Sequence, residues 1–186
     1  MSLTQICHQL VLSHQRKFLN SIDATCGNGH DTKFLLENTQ AQGRVFAFDV
    51  QEQALLETQK KCTPILGNKQ LICFHTSHAQ MSSSIPKSIH QHIDLIMFNL
   101  GYLPGGQNKH LCTQKESTLS ALEQCLFLLK PGGLISILAY PGHSQGKVEK
   151  ESIEKWLHTQ QIYTFTEHHH IKKNTAPVLW LLKLNK

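Results

Sequence analysis

Residues Asn20–Thr32 read Asn-Ser-Ile-Asp-Ala-Thr-Cys-Gly-Asn-Gly-His-Asp-Thr. A short apolar run ends at Asp23, glycines follow at Gly27 and Gly29, and a helical pattern opens beyond them. Strand, glycine turn and helix in that order form the loop on which doubly wound α/β domains hold nucleotide-type ligands. The spacing departs from Gly-x-Gly-x-x-Gly, because Thr32 stands at the third glycine, and no Gly-Lys-Ser/Thr follows to cradle phosphates. A carboxylate at the strand end repels a pyrophosphate and attracts an ammonium group. The next strand candidate ends in Asp49, 20 residues after Gly29, the spacing at which such folds grip ribose hydroxyls. The plainer alternative is that Asp23 and Asp49 only cap the helices that follow them.

Outward from this loop the same alternation continues. Strands are expected at Asn20–Ala24, Arg44–Asp49, Gln70–His75, Ile93–Asn99, Gly133–Tyr140, Ile162–Glu167 and Pro177–Leu184. Helical periodicity fills Leu3–Phe18, Gly29–Glu37, Glu52–Lys61, Glu116–Leu129 and Lys147–Thr159. The first of these helices should pack Leu3, Ile6, Leu10 and Val11 onto the sheet, and Lys130-Pro131-Gly132-Gly133 should stop the fourth. Strand–helix–strand repetition requires right-handed crossovers and a mostly parallel sheet covered on both faces. Only a short connection joins the last two strands, so the final one should run antiparallel. The expectation is one α/β domain over residues 1–186, with a doubly wound seven-stranded sheet.

A second motif, Asp94-Leu95-Ile96-Met97-Phe98-Asn99-Leu100-Gly101-Tyr102-Leu103-Pro104-Gly105-Gly106, delivers Asn99 to the carboxyl edge of the sheet. An asparagine carbonyl accepts a hydrogen bond from an amine, and Tyr102 offers a face on which a base can stack. Asn99-Leu100-Gly101-Tyr102 resembles the Asn-Pro-Pro-Tyr motif of amino-methylating enzymes, with Leu-Gly in place of the stiffer Pro-Pro. After the fifth strand comes Tyr140-Pro141-Gly142-His143, where His143 either assists proton removal, holds an RNA phosphate or caps a loop. Ser77 and His78 follow the third strand and should border a base, and Thr113, Ser117 and Thr118 should include the cap of the next helix.

Composition narrows the classes. With 40% hydrophobic and 17% charged residues, the chain can bury a large core and is not a disordered tail. No apolar run approaches the ~18 residues that span a bilayer, and the N-terminus lacks the order of a signal peptide, so a cytoplasmic protein is expected. Its six cysteines form no Cys-x-x-Cys pair and read as reduced thiols, with no metal site expected. A net charge of +5 permits an anionic partner without identifying one.

Taken together, Asp-Ala-Thr-x-Gly-Asn-Gly-His-Asp-Thr, Phe-Asp-Val-Gln, Phe-Asn-Leu-Gly-Tyr-Leu-Pro-Gly-Gly and Tyr-Pro-Gly-His resemble one family, over about Ile22 to Glu149. These are the small class I S-adenosylmethionine methyltransferases long labelled rRNA methylases. Members are associated with tRNA, where they methylate wobble 5-aminomethyluridine to 5-methylaminomethyluridine. Gln145 departs from the glycine of that family. The resemblance implies a Rossmann-like sheet, with S-adenosylmethionine as cofactor and the tRNA anticodon stem-loop, or alternatively rRNA, as partner of a monomer or homodimer. Asp23 would hold the cofactor's amino group. Thr25, Gly27, Asn28, Gly29, His30 and Asp31 would shape its amino-acid pocket, Asp49 and Gln51 its ribose site, and Ser77 and His78 its base site. Asn99 would touch the cofactor and accept from the substrate amine, Tyr102 would pack the uracil, and Asp31, Tyr140 and His143 are the candidates for removing the amine's proton. The rival readings are an rRNA nitrogen methyltransferase, a non-catalytic cofactor- or RNA-binding protein, and an NAD-dependent dehydrogenase. The last is disfavoured by Asp23 and by the missing third glycine.

Overall fold

The computed structural model describes residues 1–101, 113–169 and 176–185. Seven strands, β1 Phe18–Asp23, β2 Thr39–Asp49, β3 Gln70–His75, β4 Ile93–Asn99, β5 Leu129–Ala139, β6 Tyr163–His169 and β7 Val178–Leu184, form one sheet in the order β3-β2-β1-β4-β5-β7-β6. Pairings among β1 to β5 are parallel, and β7 runs antiparallel to both its neighbours. The sequence alone does not place β7 between β5 and β6, yet the physical reason lies in its residues. Val178, Leu179, Trp180, Leu181 and Leu182 are all buried, and a continuous apolar run needs cover on both faces. Most positions of β6 are exposed, which suits an edge.

Helices α1 Leu3–His14, α2 His30–Glu37 and α3 Glu52–Cys62 cover one face, and α4 Met81–Ser84, α5 Lys115–Leu128 and α6 Ser144–Thr159 the other. Strand alternation divides the core accordingly: Leu95 and Met97 of β4 pack towards α1 and α2, and Ile96 and Phe98 towards α5 and α6. The direction in which successive strands are added across the sheet reverses at β1. Units built outward to β3 place their helices on one side, and those built from β4 to β6 place theirs on the other, because each crossover keeps its right hand. The β1–β4 seam is therefore the switch point at whose carboxyl end ligands of such sheets bind.

Several boundaries differ from the expectation. The first helix stops at His14, and Phe18, wholly buried, opens β1 instead. Its start is set by a capping box in which Ser2 Oγ accepts from Gln5 N and Gln5 Oε1 accepts from Ser2 N, at 3.2 and 2.8 Å. Its buried side is Leu3, Cys7 and Val11, with Ile6 and Leu10 only partly covered. Strand β5 begins at Leu129, so Lys130-Pro131-Gly132-Gly133 enters the sheet through a register shift opposite Ile93 and Leu95. A similar shift between Phe18 and Asn20 lets β2 begin at Thr39. The buried side of α5 is Thr118, Ala121, Leu122, Cys125 and Leu128, while Leu126 is exposed.

The shifted stretch of β1 leaves backbone donors to be satisfied. Asp94 takes them: its Oδ2 accepts from Leu19 N at 2.6 Å and Asn20 N at 3.0 Å, and Oδ1 from Gln15 Nε2 at 3.1 Å and from Lys130 Nζ. Burial pushes this carboxyl up, but the bonds from Lys130, Gln15, Asn20 and Leu19 outweigh it and hold Asp94 below the usual carboxylate range.

Candidate active site

At the carboxyl end of the seam lies a cavity of about 620 Å³, within the range of small-molecule sites. Its walls come from five strand ends, and bonds from main-chain N–H groups stitch them together. Ala24 N donates to Met97 O at 2.9 Å and Cys26 N to Phe48 O at 2.9 Å, tying the first loop to β4 and β2. Asn99 N donates to Thr25 Oγ1 at 2.8 Å, and Gly27 N to Asp49 Oδ2 at 2.9 Å. Asp49 also accepts from Gln51 N at 2.9 Å, so it orders its own turn while still lining the cavity with Gln51.

Gly29 has a reason other than ligand approach. It sits at φ 72°, and a Cβ there would lie 2.8 Å from Thr58 Cα, so its missing side chain serves the packing of α2 on α3. Thr25, Cys26, Gly27, Asn28, His30 and Asp31 line the cavity. His30 stands exposed at the rim, its Nε2 3.1 Å from Lys61 Nζ.

Asp23 departs from the expectation. It is wholly buried behind the loop and does not line the cavity, its Oδ2 accepting from Thr32 Oγ1 at 2.6 Å and its Oδ1 from Thr25 N at 3.2 Å. The threonine at the third-glycine position is thus the partner of the strand-end acid. Burial, then the charge of Asp31, lifts the Asp23 carboxyl to about 7 against the pull of these two bonds. Besides Asp49, the carboxylate that reaches the cavity is Asp31, only 6% exposed. Its Oδ2 accepts from Asn99 Nδ2 at 3.1 Å, and its Oδ1 lies 2.7 Å from His8 Nε2. With its amide nitrogen held there, Asn99 keeps its oxygen as the acceptor end of the side chain.

On the base side, Thr76, Ser77 and His78 line the wall. Ser77 Oγ accepts from Ala79 N at 3.2 Å. Burial holds the His78 imidazole down to about 4, and its ring meets Phe98 edge-on at 6.1 Å. Its buried Nε2 has no hydrogen-bond partner among the described residues.

On the β5 side, Tyr140 lines the cavity and bonds to Thr4 of α1, and burial raises its phenol above the ordinary value. His143 does not line the cavity. It caps α6, its Nδ1 accepting from Gly146 N at 3.1 Å, so the geometry favours its capping role over proton handling. A Cβ on Gly146 would lie 2.3 Å from Tyr140 O, which fixes glycine there. Tyr102 lies outside the described residues.

Thr113 and Ser117 line the cavity, but the N-cap of α5 is Gln114 rather than either of them or Thr118. Thr113 instead joins Gly101: Gly101 N donates to Thr113 Oγ1 and Thr113 N to Gly101 O, both at 3.0 Å. Beneath them the buried Glu149 accepts from Thr113 Oγ1 at 2.8 Å and Thr118 Oγ1 at 2.6 Å. Burial raises its carboxyl pKa, against the two hydroxyl bonds and the nearby His143. Sequence reasoning missed the contributions of His8 and Thr4, because nothing in their spacing relates α1 to the loops it serves.

A sheet of this order, with carboxylates rather than a phosphate loop at its switch point, defines the Rossmann-like methyltransferase class. The solved structures agree. A "putative rRNA-methylase" from Clostridium thermocellum is 32% identical, covers 98% of this chain and 97% of its own, and superposes with a TM-score of 0.87. SMU.1697c, a "putative methyltransferase" from Streptococcus mutans in complex with SAH, is 32% identical over 99% of this chain and 98% of its own, with a TM-score of 0.81. Residues 45–183 match the family described as "Putative rRNA methylase", and the chain belongs to that family. A curated relative, the chloroplastic tRNA (mnm(5)s(2)U34)-methyltransferase of Arabidopsis thaliana, is 38% identical over 159 residues, 81% of this chain. The chain spans 57% of that relative's length.

Proposed function

We propose that this protein is an S-adenosylmethionine-dependent methyltransferase that transfers a methyl group to the amine of 5-aminomethyluridine at the tRNA wobble position. The observation that carries the reading is Asn99, delivered by β4 into the cavity with its amide oriented by Asp31. The family, the SAH-bound neighbour and the tRNA-modifying relative support it.

The residues present fit the cofactor. Among the described residues lining the cavity, Asp31 and Asp49 are acidic and none is Lys or Arg, which suits a cation-bearing ligand and not a pyrophosphate. The unpartnered Nε2 of His78 supplies a hydrogen-bonding group for a base. Asp49 and Gln51 would take the ribose, each Asp49 oxygen keeping a lone pair beyond the backbone bond it accepts. Thr25, Gly27 and Asn28 would border the amino-acid end. Asp31 takes the part expected of Asp23, which acts from behind by fixing Thr25 and Thr32.

The bound cofactor supplies an electrophilic methyl on a sulfonium; positioning and electrostatics fall to the protein. Asn99 accepts a hydrogen bond from the amine and aims its lone pair, and Asp31 offers negative charge to the same nitrogen. Tyr140 closes the wall beside Gly101, whose Cβ position lies 3.7 Å from the ring. The test is label transfer from S-adenosylmethionine to tRNA bearing 5-aminomethyluridine, with rRNA in parallel and nucleosides resolved by mass. Label in 5-methylaminomethyluridine is expected. Label confined to rRNA would replace the substrate, and no label despite cofactor binding would favour a non-catalytic binding protein.

A further inference from the structure

The amino-acid end of the proposed cofactor is a zwitterion, with an ammonium and a carboxylate on one carbon. Asp31 answers the first. The acids around the cavity repel the second, and no Lys or Arg is among the described lining residues. The cation that a carboxylate needs stands one contact further out. His30 lines the cavity at its rim, and Lys61 Nζ lies 3.1 Å from His30 Nε2. An ammonium has only hydrogens to give, so in this contact Nε2 is the acceptor and the ring's hydrogen sits on Nδ1. The rim thus presents two donors, an ammonium and an imidazole N–H. None of the ion pairs among the described residues includes Lys61.

The packing of α3 brings this charge to the rim. Lys61 lies in its last turn, three residues after Thr58, whose Oγ1 donates to Gly27 O at 3.1 Å. Thr58 is also the residue against which Gly29 packs, so the glycine that lets α2 and α3 close carries Lys61 to the first turn of α2. His30 and Asp31 are adjacent in that turn. Groups suited to a carboxylate and to an ammonium therefore stand side by side, as the two do on an amino acid.

We propose that Lys61 and His30 receive the carboxylate of the cofactor's amino-acid end, an assignment that rests on the cofactor part of the reading above and not on its tRNA substrate. Lys61 supplies the charge and His30 the second donor. The plainer role for Lys61 is to complement the negative end of α3, as Lys60 does from the same turn. Lys60 is therefore the control, because it shares that turn and that charge.

Calorimetry with S-adenosylmethionine and with its decarboxylated form, which keeps the ammonium and the sulfonium, separates the two roles. Lys61→Gln should bind S-adenosylmethionine about three- to tenfold more weakly, the scale of one charge-assisted bond at a half-exposed site. Its affinity for the decarboxylated form should not fall. Lys61→Arg and Lys60→Gln should both keep the wild-type affinities. Lys61 is only half-buried, so melting temperatures should move by no more than a few degrees.

Equal weakening of both ligands in Lys61→Gln would overturn the proposal and assign the lysine to structure. A matching loss in Lys60→Gln would overturn it in favour of the helix end. Unchanged affinity for both ligands would overturn it as well, and weaker tRNA binding in the same variant would then assign the pair to an RNA phosphate. Wild-type protein that binds neither ligand would overturn the cofactor reading first, and this one with it. No RNA enters the calorimetry, so failure of the substrate assignment shows itself separately.

Discussion

The two ends of β4 hold buried acids under opposite conditions. At its start, Asp94 gathers four donors, two from the β1 backbone and two from the Gln15 and Lys130 side chains, and lies below the ordinary carboxylate range. Beside its finish, at the end of β1 and opposite Met97, Asp23 has two donors and the charges of Asp31 and Asp49 for company, and is lifted to about 7. One end is an electrostatically closed joint that holds the sheet's register. The other concentrates negative charge around a cavity whose described lining residues include no Lys or Arg, which is a disposition to bind a cation.

The sharpest way to break this contrast is at Asn99. Asn99→Ala should lower kcat by about 10²- to 10³-fold, the scale seen when one oriented group of a transition state is removed. SAH affinity, measured by calorimetry, should change less than about threefold; equal losses in both would contradict its role towards the amine. At the other end, Asp94→Ala strands two backbone N–H groups, each costing about 1–3 kcal/mol when buried and unpaired. Denaturant unfolding should therefore show a loss of about 2–6 kcal/mol, with kcat unchanged where the variant is folded.

Gly29→Ala, which tests the loop between the two regions, should cost about 1–3 kcal/mol through the strained φ and the contact with Thr58. Thermal melts would register it, and a neutral result would mean α2 and α3 can separate freely.

The smallest effects are opposite in sign. A raised acid such as Asp23 gives a stability contribution that is present below about pH 4 and lost as pH rises through about 7. Asp23→Asn should therefore gain on the wild type in melting temperature across that interval. A depressed acid such as Asp94 contributes above the ordinary carboxylate range and loses that contribution as pH falls through its lowered value. Asp94→Asn should flatten the acid side of the curve. Matching slopes in the two variants would erase the distinction between the ends.

Much of this was legible in the sequence. Periodicities of two and 3.6 separated strands from helices, and Asn99, Asp31, Asp49 and Tyr140 reached the cavity because strand ends and first helical turns converge there in a doubly wound sheet. What was not legible depended on depth and on distant partners. A strand-end acid looks the same whether it faces a ligand or, like Asp23, turns inward to Thr32. His8 lies 23 residues before Asp31 on a helix whose docking is set by Leu3, Cys7 and Val11, so no local spacing announces their meeting. Lys130-Pro131-Gly132-Gly133 carries every mark of a turn, and only the shifted pairing against β4 draws it into the sheet.

The closure of Gly101 on Thr113, with Glu149 holding the latter from below, has a consequence for architecture rather than for catalysis. Whatever sequence occupies 102–112 leaves and rejoins the domain at one hydrogen-bonded point, so that pair, and not the segment, determines where β4 ends and α5 begins. Lengthening a closed loop costs only about 0.6 kcal/mol per doubling. The pair thus separates the sheet and the cavity wall from changes in the length of chain between these two residues.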